Sequence, residues 1–178
     1  YISLVVCLIL TGGCGVKKEG GNSVFFRILE NPVTLDPAKV VDVTGGELAA
    51  KLYGGLVCFD KNLNLVPDLV EKYEISDDKT KITFFLRSDS KFSDGSSITS
   101  QDVLFSWKRI LDPKTPSPRV WVLSKIKGAL NYSEGKADTI TGFKIVDSKI
   151  FEVELESPFA PFLSLLTMPA ASILSRNA

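Results

Sequence analysis

Residues Leu65 to Pro113, LVPDLVEKYEISDDKTKITFFLRSDSKFSDGSSITSQDVLFSWKRILDP, set a strand, a tight turn and a helix side by side in one block. In the run Ile82-Thr83-Phe84-Phe85-Leu86-Arg87, alternate residues Ile82, Phe84 and Leu86 share one face, the pattern of a half-buried strand. Phe85 breaks the alternation, which predicts partial cover on the second face. Ser76, Asp77, Asp78 and Lys79 lead into this strand as a turn, because short polar side chains bond the neighbouring backbone. Asp94-Gly95 predicts a second turn. Helix-start signals follow: Thr99 as N-cap, Asp102 as its capping-box partner, and Ile98 with Val103 as a hydrophobic staple. A helix is therefore expected from Ser100, with Val103, Trp107, Ile110 and Leu111 on its apolar stripe and Lys108 and Arg109 near its C-terminus. Pro113 ends it by turning Asp112 out of helical geometry.

Composition narrows the function classes. The 178 residues hold 21 Lys+Arg against 21 Asp+Glu, no His, three Cys and 44% hydrophobic residues, enough for one sizeable core. A net charge of zero gives no support to nucleic-acid binding, which needs a basic surface. With no His the chain lacks the commonest general base and metal ligand, and a Ser–His–Asp or Cys–His arrangement is excluded within it.

At the N-terminus, the apolar run Ile2 to Leu10 is too short to span a bilayer as a helix, which takes roughly 20 residues, and fits the apolar core of a signal peptide truncated at its start. Leu10-Thr11-Gly12-Gly13-Cys14 looks like a bacterial lipobox, with small residues ahead of a cysteine that would carry lipid, although Thr11 stands where Leu is commoner. Cys7 lies in the part that cleavage would remove. Residues 1–13 thus read as signal peptide and the Gly-rich residues 14–23 as a flexible tether to the membrane. Cys58, between Val57 and Phe59, is expected as a buried free thiol.

Val24 to Leu29 is a strand candidate, and Pro32 and Pro37 keep the following Val33 to Val43 extended or looped. Glu47 to Tyr53 carries Leu48, Leu52 and Leu56 at helical spacing, with Gly54 and Gly55 as its stop. Asp60-Lys61-Asn62 predicts a turn. Past Pro113 come a rigid loop through Pro116 and Pro118, a helix expected from Val120 to Tyr132, and a polar connection from Ser133 to Thr141. A hairpin is expected next, Phe143 to Val146 and Ile150 to Leu155 about a turn at Asp147 and Ser148, then a core-docked helix over Phe162 to Met168. Strands joined by hairpin turns, with short helices between them, predict an antiparallel sheet with helices packed on it.

Taken together, LDP at Leu35–Pro37, LYGGLV at Leu52–Val57, LVPDLVEKYEISDD at Leu65–Asp78, ITFFLR at Ile82–Arg87 and KFSDGSSITSQDVLFSWKRILDP at Lys91–Pro113 resemble, in order and spacing, the N-terminal part of the family 5 extracellular solute-binding proteins. The similarity runs from about Val24 to the end of the chain. It implies an α/β fold of the bilobal periplasmic-binding-protein-like class II, of which residues 24–178 supply part of the N-terminal lobe. Residues 24–44 would then be a main-lobe strand and cleft segment, and 45–168 an antiparallel α+β subdomain. The resemblance also implies a substrate-binding lipoprotein of an ABC importer, held outside the cytoplasmic membrane by lipid on Cys14. It would capture peptides or similar small solutes and deliver them to permease subunits. Val41, Asp42 and Val43 match the family's cleft-lining strand, and Arg119 a second cleft position at which peptide binders can carry an aromatic. A lipid-anchored binding fold turned to signalling or adhesion is the alternative.

The carboxylates that could serve catalysis all have structural readings: Asp77, Asp78 and Asp94 in turns, Asp102 as a cap, Glu152 and Glu154 on the solvent face of a strand. Nothing in the sequence resembles a P-loop, a dinucleotide turn or clustered metal ligands. The expectation is a binding protein without catalytic residues, metal or cofactor.

Overall fold

The structure is a computed structural model describing residues 27, 28 and 30–177. The signal peptide, Cys14, the tether and most of the strand expected over Val24 to Leu29 lie outside the described residues.

A four-stranded antiparallel sheet forms the centre, built from β3 (Val70–Ile75), β4 (Lys81–Leu86), β6 (Ile150–Glu154) and β5 (Phe143–Ile145), in that spatial order. The expected alternation is realised in β4, where Ile82, Phe84 and Leu86 are buried. Phe85, on the opposite face, is half-covered by Lys72, whose Nζ lies 4.3 Å from the ring centroid. β6 pairs in register with β4, Phe84 opposite Phe151, and these rings stack at 5.1 Å. Phe143 of β5 stacks on Phe151 from the other side, also at 5.1 Å.

Helix α2 (Ser100–Ile110) covers this aromatic layer. Its buried Trp107 stands edge-on to Phe143 and Phe151, with centroids 5.6 Å and 6.3 Å away, an arrangement that sets ring edges against ring faces. The capping box forms as the sequence predicts: the Asp102 carboxylate accepts the Thr99 backbone N–H at 2.9 Å and the Thr99 hydroxyl at 2.6 Å.

The turn at Ser76 to Lys79 joins two strands, and the first of these, β3, does not show in the sequence pattern. It is an edge strand with only Val70 buried, and a bulge between Val70 and Lys72 shifts its alternation. A small second sheet, β1 (Val57–Phe59) against β2 (Leu65–Pro67), closes on the expected turn, where Asp60 Oδ1 accepts the N–H groups of Asn62 and Asn64.

The continuous helix expected over Val120 to Tyr132 is replaced by a 3₁₀ turn, Val120–Val122, and a short helix α3 (Ala129–Ser133). Between them Ile126 bridges to Leu155 at the end of β6, and Gly128 adopts a left-handed φ of 75° where a Cβ would run into the Thr141 hydroxyl. Pairing with the sheet wins over helix periodicity there. The segment Phe162 to Met168 does dock in the core, as the shorter helix α4 (Phe162–Leu165) with Phe162, Leu163 and Leu166 buried, followed by a 3₁₀ turn Pro169–Ala171.

Candidate functional site

Helix α1 (Val43–Leu52) starts four residues earlier than its leucine spacing suggests, because Asp42 caps it. Asp42 Oδ2 accepts the Gly45 N–H at 2.7 Å, satisfying one of the donors that a helix start leaves free. Glycine at 45 is what allows this approach: a Cβ there would sit about 3 Å from both Asp42 oxygens and from the Thr34 carbonyl. The helix ends with Tyr53 in extended conformation rather than on a left-handed glycine, and the buried residues on it are Gly45 and Ala49. Leu52, expected on the packed stripe, is exposed.

The segment before α1 is folded on itself and tied to distant parts of the chain. Asp36 organises a turn in which Lys39 N–H and Val40 N–H donate to its carbonyl at 2.9 and 3.0 Å, and Ala38 N–H donates to its Oδ1 at 3.1 Å. Its other carboxylate oxygen receives Arg109 Nη2 of α2 at 2.8 Å. Two carbonyls of the segment go to the loop around Pro118. The buried Ser117 hydroxyl donates to the Ala38 carbonyl, and Arg119 Nε donates to the Val40 carbonyl at 3.0 Å. Ser117 Oγ also accepts the Arg119 backbone N–H at 3.0 Å.

Val41, Asp42, Val43 and Arg119, far apart in sequence, are thus brought to one place, through the carbonyl of Val40. Val41 is 59% exposed and Val43 78%, more than apolar side chains inside a covered connection would be. The N–H groups of Val41, Asp42 and Val43 and the carbonyl of Val41 have no hydrogen-bond partner among the described residues. The terminal nitrogens of Arg119 likewise have none there, so its guanidinium is held by Nε and presents its far edge. Asp42 Oδ2 serves the cap and its carbonyl accepts the Gly46 N–H at 3.0 Å, while its buried Oδ1 and its N–H have no hydrogen-bond partner among the described residues. Sequence reasoning missed Ser117, Asp36 and Arg109 as ties; the fixed φ of Pro116 and Pro118 flanking Ser117 was the available signal.

The remaining polar candidates take structural roles. Asp78 closes the β3–β4 turn: hydrogen bonds from the Ser76 hydroxyl, then from Thr80, hold its carboxyl down at about 2. Asp94 is held below the usual carboxylate range by the Ser96 hydroxyl and N–H. Glu154 pairs with Lys127 at 2.7 Å and Glu152 with Lys144 at 3.5 Å, both at the surface. Cys58 is a free, half-buried thiol rather than a fully buried one, and burial, then the Asp68 and Asp60 carboxylates, push it up. Among the described residues there is no group of three or more potential metal ligands, and no helix is long and apolar enough to cross a membrane.

Comparison with known proteins identifies the family. Residues 64–178 match the family described as bacterial extracellular solute-binding proteins, family 5 Middle. Over 142 residues the chain is 38% identical to a probable deoxycholate-binding periplasmic protein, YgiS, of Escherichia coli (strain K12), covering 78% of this chain and 26% of that one. It is 36% identical over 148 residues to the periplasmic oligopeptide-binding protein OppA of the same organism, covering 82% and 27%. The solved structure of the Escherichia coli murein tripeptide binding protein MppA superposes with a TM-score of 0.78 at 33% identity, covering 84% of this chain and 30% of that one. The chain therefore spans under a third of the length of these relatives. Its fold is part of the class II periplasmic-binding-protein architecture, and the family and its relatives are binding proteins rather than enzymes. By the match over 64–178, this chain belongs to the family 5 bacterial extracellular solute-binding proteins.

Proposed function

We propose that this chain is the leading part of a substrate-binding lipoprotein that captures peptides or similar small solutes outside the cytoplasmic membrane and hands them to the permease of an ABC importer. Residues 24–44 supply one wall of the cleft and 45–168 the subdomain that carries it. The observation that supports this reading is that the N–H groups of Val41 to Val43, beside an anchored arginine, have no hydrogen-bond partner among the described residues. Although Val43 already begins α1 and the run is therefore not a strand, a peptide can bind such groups by main-chain hydrogen bonds that need no special side chains. Relatives named for oligopeptide and murein tripeptide binding are in keeping with it, and one named for deoxycholate leaves room for other solutes.

Val43→Pro tests the reading in the full-length protein. Proline is favoured at the first position of a helix, and Asp42, at φ −86° and ψ 156°, already has the extended geometry a following proline requires. The substitution thus removes an N–H that has no partner among the described residues, in a backbone geometry that accepts proline. The expected result is an unchanged or higher melting temperature with affinity for a mixed short-peptide pool lowered about tenfold, the size of one lost hydrogen bond to a ligand. Unchanged affinity would take Val43 N–H out of the contact.

Lipid on Cys14 is the anchor in this proposal, supported by the apolar run ending in Thr11-Gly12-Gly13-Cys14. Cys14→Ala should release the protein from the membrane fraction; equal partitioning of both forms would refute the anchor.

A further inference from the structure

Ser117 holds both arms of the proposed cleft wall with one oxygen. Its hydroxyl donates to the carbonyl of Ala38, two residues before Val40, and accepts the backbone N–H of Arg119, whose side chain then reaches the Val40 carbonyl. A hydroxyl can donate and accept at once, so a single buried atom sets where the segment lies and where the arginine starts. Pro116 and Pro118 limit the loop on either side, which leaves few ways for Ser117 to move. At the near end of the same segment the Asp36 to Arg109 ion pair fixes the turn against α2. Without the Ser117 oxygen, the Ala38 carbonyl and the Arg119 N–H would lose the partner they share.

We infer that Ser117 is a positioning residue for solute binding, holding the Val40–Val43 main chain and the Arg119 side chain in the mutual geometry that a ligand meets. The inference rests on the cleft reading above. It assigns Ser117 no contact with the solute.

Two measurements on the full-length protein test it, each on wild type, Ser117→Ala and Ser117→Thr, the last of which keeps the hydroxyl. Amide hydrogen exchange without ligand reads the tie itself. Ser117→Ala should exchange the Arg119 amide about tenfold faster or more, as expected when a buried N–H loses its acceptor, and Ser117→Thr should return it toward wild type. Retention of a mixed pool of tri- to pentapeptides, read by mass spectrometry, then reports the consequence for binding. Ser117→Ala should retain about tenfold less at equal protein and peptide concentration, with recovery in Ser117→Thr. Unchanged exchange in Ser117→Ala overturns the tie whatever the peptides do. Faster exchange with undiminished retention confirms the tie and refutes the positioning role, whereas the cleft reading itself stands or falls with Val43→Pro. A loss of retention as large in Ser117→Thr as in Ser117→Ala would overturn the role of the hydroxyl.

Discussion

The aromatic layer between α2 and the four-stranded sheet and the segment from Thr34 to Val43 are both held in one conformation, by opposite means. In the first, Phe84, Trp107 and Phe151 are fully buried and pack ring on ring, so each is fixed by many weak contacts. In the second, Ala38 and Val40 are buried while the side chains of Val41 and Val43 are largely exposed, and that exposed end is placed chiefly by a few hydrogen bonds made by Asp36, Arg109, Ser117 and Arg119. A packed core tolerates the loss of one contact but not of a whole side chain. A segment laced by single hydrogen bonds can lose its place while the fold stands. A ligand-facing wall gains from the second design, because its own main-chain groups stay free.

Truncating the core should therefore give the largest effect. Trp107→Ala is expected to destabilise the protein by about 3–5 kcal/mol in chemical unfolding, the usual cost of removing a large buried aromatic. Trp107→Phe should cost distinctly less, since the indole N–H makes no hydrogen bond among the described residues and its loss removes packing alone. Equal losses for the two would mean that the indole nitrogen has a partner and that the layer is not held by packing.

A smaller effect belongs to a turn held, like the Thr34 to Val43 segment, by single hydrogen bonds. Asp78 is lowered from its ordinary 3.8 to about 2, first by the Ser76 hydroxyl and then by Thr80. A carboxylate depressed in the folded state contributes stability that is present above its unfolded value and is lost as pH falls through its folded value. Stability should thus decline between pH about 4 and about 2, more steeply in wild type than in Asp78→Asn. Parallel acid limbs for the two proteins would show that the turn bonds do not favour the charged form. The exposed position of the turn keeps the effect small.

The same contrast explains what could be read before the structure. Burial leaves a period in the sequence, and Ile82-Phe84-Leu86 and Phe151-Val153-Leu155 are placed correctly by alternation alone. Capping leaves a spacing, and Thr99 to Asp102 gives the start of α2. Single hydrogen bonds across long sequence separations leave neither: nothing local in Ser117 points to the Ala38 carbonyl, or in Arg109 to Asp36. Edge strand β3 stays hidden because one of its faces is solvated and its bulge shifts the register. The helix expected over Val120 to Tyr132 fails for a related reason. Leu123, Ile126 and Leu130 do fall at helical spacing, but Ile126 is recruited to the sheet edge and Leu130 is left exposed. Val41 to Val43 and Arg119 came from the order of motifs along the chain; the side-chain periodicity of the segment does not mark them.

The smallest expected effect on stability, and the sharpest on specificity, is at Arg119. Its Nε is committed to the Val40 carbonyl, while the edge formed by its two terminal nitrogens has no partner among the described residues. A planar fork of donors matches a carboxylate in two places, and in a cleft closed to water such a pair outweighs the same contact at an open surface. Held half-exposed beside the Val41 main chain, whose N–H and carbonyl have no partner among the described residues, the fork would favour solutes that bring an anionic group to that end. Arg119→Gln removes the charge at a surface turn, so the unfolding free energy should shift by no more than about 0.5 kcal/mol. Binding should separate by ligand. Calorimetry on the full-length protein with two peptides differing only by Glu against Gln should show a loss of about 1.5–3 kcal/mol for the acidic member, the range of a hydrogen bond to a charged group. The neutral member should lose less, only what the Nε tie to the Val40 carbonyl contributes to placing the wall. An equal loss for the two peptides would return Arg119 to the role of a tie for Val40, and would leave the main chain alone to explain recognition at this wall.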